Sequence, residues 1–243
     1  EDRLGIIRDL FALSEAGTIP TTDALKLLKS YKNEDNYTVW VELASGLSRL
    51  EQMLDKTKER VAFNDLILEL FSPLAKSLGW EKKEGESHTD TLLRPLAISR
   101  AGRSGDKEIV KQARKIFSVI EQNGEVHPDI RGAVYSVVAS HGKEEYKIFI
   151  KKYKEETLHE EKNRIGSALG DFTDPTLLKE TCAFALSKHV RTQDTIGILS
   201  GVALNPLGRD IWWNTVSNNW NTLVSRYGEG GHQLSRLIKA ISG

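Results

Sequence analysis

The sequence predicts an all-α protein, and three observations support that reading. Apolar residues recur at helical spacing along almost the whole chain. Six prolines in 243 residues, with 7% aromatic and 28% charged residues, fit a helix-rich protein better than a sandwich or barrel. No stretch alternates apolar and polar residues for long enough to demand a strand.

The strongest single stretch runs from Asn205 to Tyr227 and carries three of the five tryptophans. Trp212, Val216, Trp220, Leu223, Val224 and Tyr227 line one face of a continuous helix, which other helices must cover. Pro206 and Gly208 mark its approach, and Gly228, Gly230 and Gly231 its stop.

From the first residue, Leu4, Ile7, Leu10, Phe11 and Ser14 describe a helix ended by Gly17. Thr21 or Thr22 caps a second helix through Tyr31, antiparallel to the first. Val39, Leu43, Leu47, Leu50 and Leu54 mark a third, and Val61 to Leu78 a fourth in which Pro73 predicts a kink or break. The charged stretch Gly79 to Ser87 is a loop and the one sub-boundary suggested within a single helical-repeat domain spanning 1–243. Leu92, Leu93, Leu96 and Ala97 form the inner face of a helix restarting near His88. Asp106 then caps a helix closed by Gly124, Pro128 to His141 partners it, and further helices centre on Phe149, Ile165, Cys182, Leu199, the tryptophan stretch and Leu234 to Ile241.

The first members of these later pairs begin near Asp106, Lys143, Pro175 and Gly208, at spacings of 37, 32 and 33 residues. That interval suits two-helix solenoid units, so the expected architecture is a curved HEAT-like or armadillo-like superhelical stack of antiparallel helix pairs.

With 34 basic and 34 acidic residues, no net field draws the chain to nucleic acid or an anionic membrane. No apolar run approaches the roughly 20 residues that cross a bilayer. The chain begins without methionine, inside a helical pattern, and is expected to be a domain of a longer polypeptide. A lone Cys182 forms no internal disulfide and sits on an apolar face, where a packed thiol outweighs a nucleophile.

Motifs for chemistry are absent or fail. His159-Glu160 would need a second histidine at 163, where Asn163 stands, and the other histidines lack metal-ligand spacing. The glycines after Tyr227 follow a helix instead of a strand, so they read as a cap, not a phosphate loop. The lysine and aromatic run from Lys147 to Lys154 is flanked by glutamates and reads as a solvated helix face. Arg3, Arg94, Arg131 and Arg164 lie beside apolar positions, where a guanidinium needs a carboxylate or carbonyl partner.

Several stretches taken in order resemble the C-terminal helical domain of zinc aminopeptidases of the aminopeptidase N superfamily. They are Asp2-Arg3-Leu4-Gly5 with Asp9-Leu10-Phe11, Asn36-Tyr37-Thr38-Val39-Trp40, Phe71-Ser72-Pro73, Leu78-Gly79-Trp80, Leu92-Leu93-Arg94, Glu161-Lys162-Asn163-Arg164-Ile165, Arg191-Thr192-Gln193-Asp194, and Asn205-Pro206-Leu207-Gly208-Arg209 with Asn219-Trp220. The puromycin-sensitive cytosolic branch looks most similar.

The resemblance implies a domain that caps an active site and encloses a peptide chamber. Zinc, the H-E-x-x-H and G-x-M-E-N motifs and the general base then lie upstream, so this chain holds no cofactor and no catalytic or metal residue of its own. Implied partners are the catalytic domain of the same polypeptide and the peptide substrate, in the cytoplasm, with neither nucleic acid nor membrane. Arg94 is the residue expected to line the substrate chamber; Arg3, Asp9 and Arg164 are expected to be structural anchors. Two alternatives compete: a free-standing helical-repeat scaffold that binds a protein or peptide in its groove, and a nucleic-acid-binding solenoid.

Overall fold

The computed structural model describes residues 2–54, 57–228 and 232–239. Among them every regular element is a helix, and none is long and apolar enough to cross a membrane. The α-helices in chain order are α1 (Asp2–Glu15), α2 (Thr21–Leu28), α3 (Tyr37–Leu54), α4 (Arg60–Leu78), α5 (His88–Arg103), α6 (Lys107–Glu121), α7 (Pro128–His141) and α8 (Tyr146–Glu155). They continue as α9 (His159–Ala168), α10 (Pro175–Leu186), α11 (Thr192–Leu204), α12 (Arg209–Asn218), α13 (Trp220–Tyr227) and α14 (His232–Lys239). Short 3₁₀ turns occupy Lys29–Asn33, Leu169–Asp171 and Pro206–Gly208.

The chain forms two compact units, Glu1–Gln112 with Val126–Ala133, and Ala113–Glu125 with Val134–Gly243. In the first, α1 packs on α2 and α3, and α4 lies chiefly on α5, which also meets α3. Trp40 and Phe71 meet here at 5.1 Å between ring centroids, both fully buried. Gly46 lets α1 approach α3, because a Cβ at that position would fall 2.1 Å from the Phe11 ring.

The second unit is built around α11, which touches α9, α10, α12, α14 and two of the 3₁₀ turns. Its sequence explains that position. Ile196, Ile198, Leu199, Val202 and Ala203 spread apolar groups around most of the helix, and such a helix is stable only when surrounded. A second core holds Phe117, Tyr135, Phe149 and Phe172, with Phe117 and Phe149 stacked at 5.2 Å and Tyr135 and Phe172 edge-on to Phe149. The lysine run on α8 turns Tyr146, Phe149 and Tyr153 into the core while Lys147, Lys151 and Lys154 stay exposed.

Several local expectations need correction. The stretch from 205 to 227 is not one helix: α12 ends at Asn218, Asn219 leaves helical geometry at φ −113° and ψ 15°, and α13 restarts at Trp220. The Asn219 side chain donates to the Thr215 carbonyl at 2.8 Å, beside the residue's own N–H at 3.1 Å. Trp212 is buried, whereas Trp213 and Trp220 are exposed. α4 continues through Pro73 without a break. The second helix starts after Pro20 without a threonine cap, since the Thr21 hydroxyl instead accepts a hydrogen bond from Ser14 Oγ at 2.8 Å. At the end of α6 the left-handed residue is Asn123, at φ 59°, with Gly124 N–H closing back on Val119 O at 2.8 Å. Gly228, at φ 81°, ends α13, while Gly230, Gly231 and Ile241 lie outside the described residues.

Candidate functional site

The polar residues singled out from the sequence become specific contacts. Arg94 occupies the inner face of α5 with Leu93, Ala97 and Ile98, while Leu92 points outward. Its side chain is 3% exposed, pairs with Glu86 and donates to the Leu78 carbonyl at 3.4 Å. Its donors are turned into the first unit, where they fasten residues 79–87 to the end of α4. Glu86 accepts further hydrogen bonds from the Lys83 amide and the Thr91 hydroxyl. Led by the Arg94 hydrogen bond, these contacts hold its carboxyl down to about 2.

Arg3 pairs with Glu34 at 3.0 Å and Asp35 at 3.5 Å. The buried Glu34 carboxylate also accepts the Asp35 and Asn36 amides, and its carbonyl accepts the Trp40 indole N–H. Asp9 is exposed and makes no ion pair among the described residues. Arg164 pairs with the buried Glu161 at 2.8 Å, and Glu161 also accepts the Tyr135 hydroxyl, joining α9 to α7.

Sequence reading missed the Arg100 cluster. Arg100 reaches from α5 to Glu51 Oε2 at 2.8 Å, to Ser48 Oγ at 2.8 Å and to the Ala44 carbonyl, while Arg60 takes Glu51 Oε1 at 2.6 Å. Burial alone would raise the Glu51 carboxyl, but Arg100, Arg103 and Arg60 hold it below its ordinary value. Arg100 falls on the same α5 face as Leu93, Leu96 and Ala97, a signal of burial that its charge obscured.

Two other motif stretches are corners of the second unit. Asn205 caps Pro206–Gly208 through its side-chain oxygen and donates to the Gly170 and Phe172 carbonyls at 2.8 and 2.9 Å. Gly208 lies so close to α11 that a Cβ would fall 2.3 Å from the Val202 carbonyl oxygen. Arg191 grips Asp194 with two bonds, at 2.6 and 2.9 Å, in the first turn of α11.

A groove of about 640 Å³ lies between the outer faces of α10 and α12 in the second unit. Ala183, Leu186 and Ile211 give it an apolar strip, and Lys179, Asn214 and Asn218 border it. The amides of Asn214 and Asn218 make no hydrogen bond among the described residues, so each can both donate to and accept from a ligand's backbone.

All six histidines are exposed, and no group of three or more metal-ligating side chains exists among the described residues. The described residues thus offer no set of donors that fits a zinc ion. Cys182 is buried on α10, and burial pushes its thiol up to about 11.

Comparison with known proteins places these contacts in a family. The family of the ERAP1-like C-terminal domain matches residues 1–243. Aminopeptidase M1-B of Oryza sativa subsp. japonica is 31% identical over 93% of this chain and 27% of its own length. Aminopeptidase M1 of Arabidopsis thaliana is 32% identical over 99% of this chain and 28% of its own. Aminopeptidase 2, mitochondrial, of Saccharomyces cerevisiae is 28% identical over 98% of this chain and 26% of its own. The chain thus spans about a quarter of the length of these curated relatives. Matched from end to end, it belongs to the ERAP1-like C-terminal domain family.

Proposed function

We propose that this chain is the C-terminal helical domain of a zinc aminopeptidase, and that it covers an active site built by residues upstream of it. The observation that carries this reading is the family match along all 243 residues, joined to relatives named as aminopeptidases of which the chain spans only about a quarter. In this reading the helix pairs form a curved, HEAT-like wall. The wall admits chain ends, turns away folded proteins and removes water when it closes over the reacting bond. In this reading the H-E-x-x-H ligands and the general base belong upstream. Zinc supplies a polarised, nucleophilic water there when bound. The groove between α10 and α12 offers the amides and the lysine that a peptide backbone and its carboxylate need. The ordered motif stretches favour the puromycin-sensitive branch, which implies a cytoplasmic setting.

The isolated chain, supplied with zinc and an aminoacyl chromogenic substrate, is expected to give no turnover. The full polypeptide is expected to lose far more activity on long peptides than on that small substrate when residues 1–243 are removed. Turnover by the isolated chain that a chelator abolishes would contradict the proposal.

A further inference from the structure

In the second unit a cavity of about 210 Å³ lies among α8, α9, α11 and α14. Tyr153 forms part of its wall; the residue is 1% exposed, yet its hydroxyl makes no hydrogen bond among the described residues. A buried hydroxyl normally has a partner, and leaving one without carries a desolvation cost. Burial also pushes this phenol up to about 12, so it stays protonated and able to donate.

Two cations line the same cavity. Lys162 Nζ lies 5.2 Å from the centre of the Tyr153 ring, and Arg236 enters from α14; neither makes an ion pair among the described residues. The carboxylate on the wall, Asp194, is already neutralised, since Arg191 takes both of its oxygens. The wall therefore carries surplus positive charge and an unused donor beside the positive end of the α11 dipole. Gly197 keeps the space open, with no atom within 4 Å of where its Cβ would stand.

We infer that this cavity binds a compact oxyanion, a carboxylate or phosphate group carried by a small molecule, held by the Tyr153 hydroxyl, Lys162 and Arg236. Paired cations and a neutral donor converging on one space are what such a group requires. The site is independent of the α10/α12 groove and of the peptidase reading.

The test is titration of the chain with inorganic phosphate, and separately with succinate, at fixed ionic strength, followed by amide chemical shifts. Saturable shifts are expected at Gly166, Gln193 and Gly197. Tyr153→Phe keeps the ring against Phe184 and should weaken binding about tenfold, the loss expected for one hydrogen bond to a charged group. Lys162→Gln with Arg236→Gln, both side chains at least partly exposed, should abolish saturation while leaving the remaining spectrum in place. A response to phosphate alone, to succinate alone or to both supports the site and identifies the group it reads. No saturable response to either, or Tyr153→Phe binding as tightly as the parent chain, overturns it.

Discussion

Gly170→Ala tests the packing around α11 through the sign of its effect. Gly170 lies in the turn Leu169–Asp171, against the backbone of Gly201 on α11. A Cβ there would stand 2.5 Å from the Gly201 carbonyl carbon and 2.9 Å from both its Cα and its oxygen. Carbon atoms in contact prefer about 3.5 to 4.0 Å, so the overlap is close to an ångström. The obstacle is helix backbone and cannot swing aside as a side chain does. Overpacking of this kind costs about 1 to 3 kcal/mol, and the upper half applies here. Reduced freedom of the unfolded chain returns only about 0.4 to 1 kcal/mol. The net expectation is a loss of about 1 to 2 kcal/mol. Gly197→Ala, on α11 but facing open space, should instead gain about 0.5 to 1 kcal/mol. Urea unfolding followed by circular dichroism, with equal slopes, should separate the two variants by about 1.5 to 3 kcal/mol. A Gly170→Ala protein as stable as the parent, or indistinguishable from Gly197→Ala, would refute the close contact.

Other consequences follow from the buried polar groups. The folded Glu86 carboxyl lies at about 2 against an ordinary 4.5, so its contribution is complete above the ordinary value and lost as pH falls toward the folded one. The acid limb of a melting-temperature profile should therefore flatten in Arg94→Met, and an unchanged limb would argue against the pair. Tyr135→Phe removes a hydrogen bond to the buried Glu161 and should cost about 1.5 to 3 kcal/mol in chemical denaturation. Cys182, held near 11 and buried, should resist a thiol reagent at neutral pH until denaturant is added, and rapid labelling of the native chain would contradict its packing.

Much of the fold was legible because its signals are local. The period of apolar residues located α1, α3 and α6, and the Asp106 side chain accepts the Glu108 and Ile109 amides as a cap should. The tryptophan stretch misled because the period of Trp212, Val216, Trp220 and Leu223 survives the break at Asn219. The break is a change of backbone dihedrals at one residue, which no hydropathy pattern records. Arg94 illustrates the limit for the site. Its neighbours on α5 indicated burial, but its partner Glu86 sits in a stretch that reads as a charged, solvated loop. The motif residues Arg94, Glu161 and Asn205 turn out to hold elements together, and Arg191 closes the first turn of α11, whereas the Tyr153 cavity draws its wall from α8, α9, α11 and α14, residues that span more than eighty positions.

The coding sequence immediately upstream of Glu1 bears most directly on whether this helical chain completes an aminopeptidase. Reading it should reveal, in the same frame, H-E-x-x-H and the G-x-M-E-N stretch. An open reading frame that starts within a few codons of Glu1, or runs on without either motif, would contradict the account.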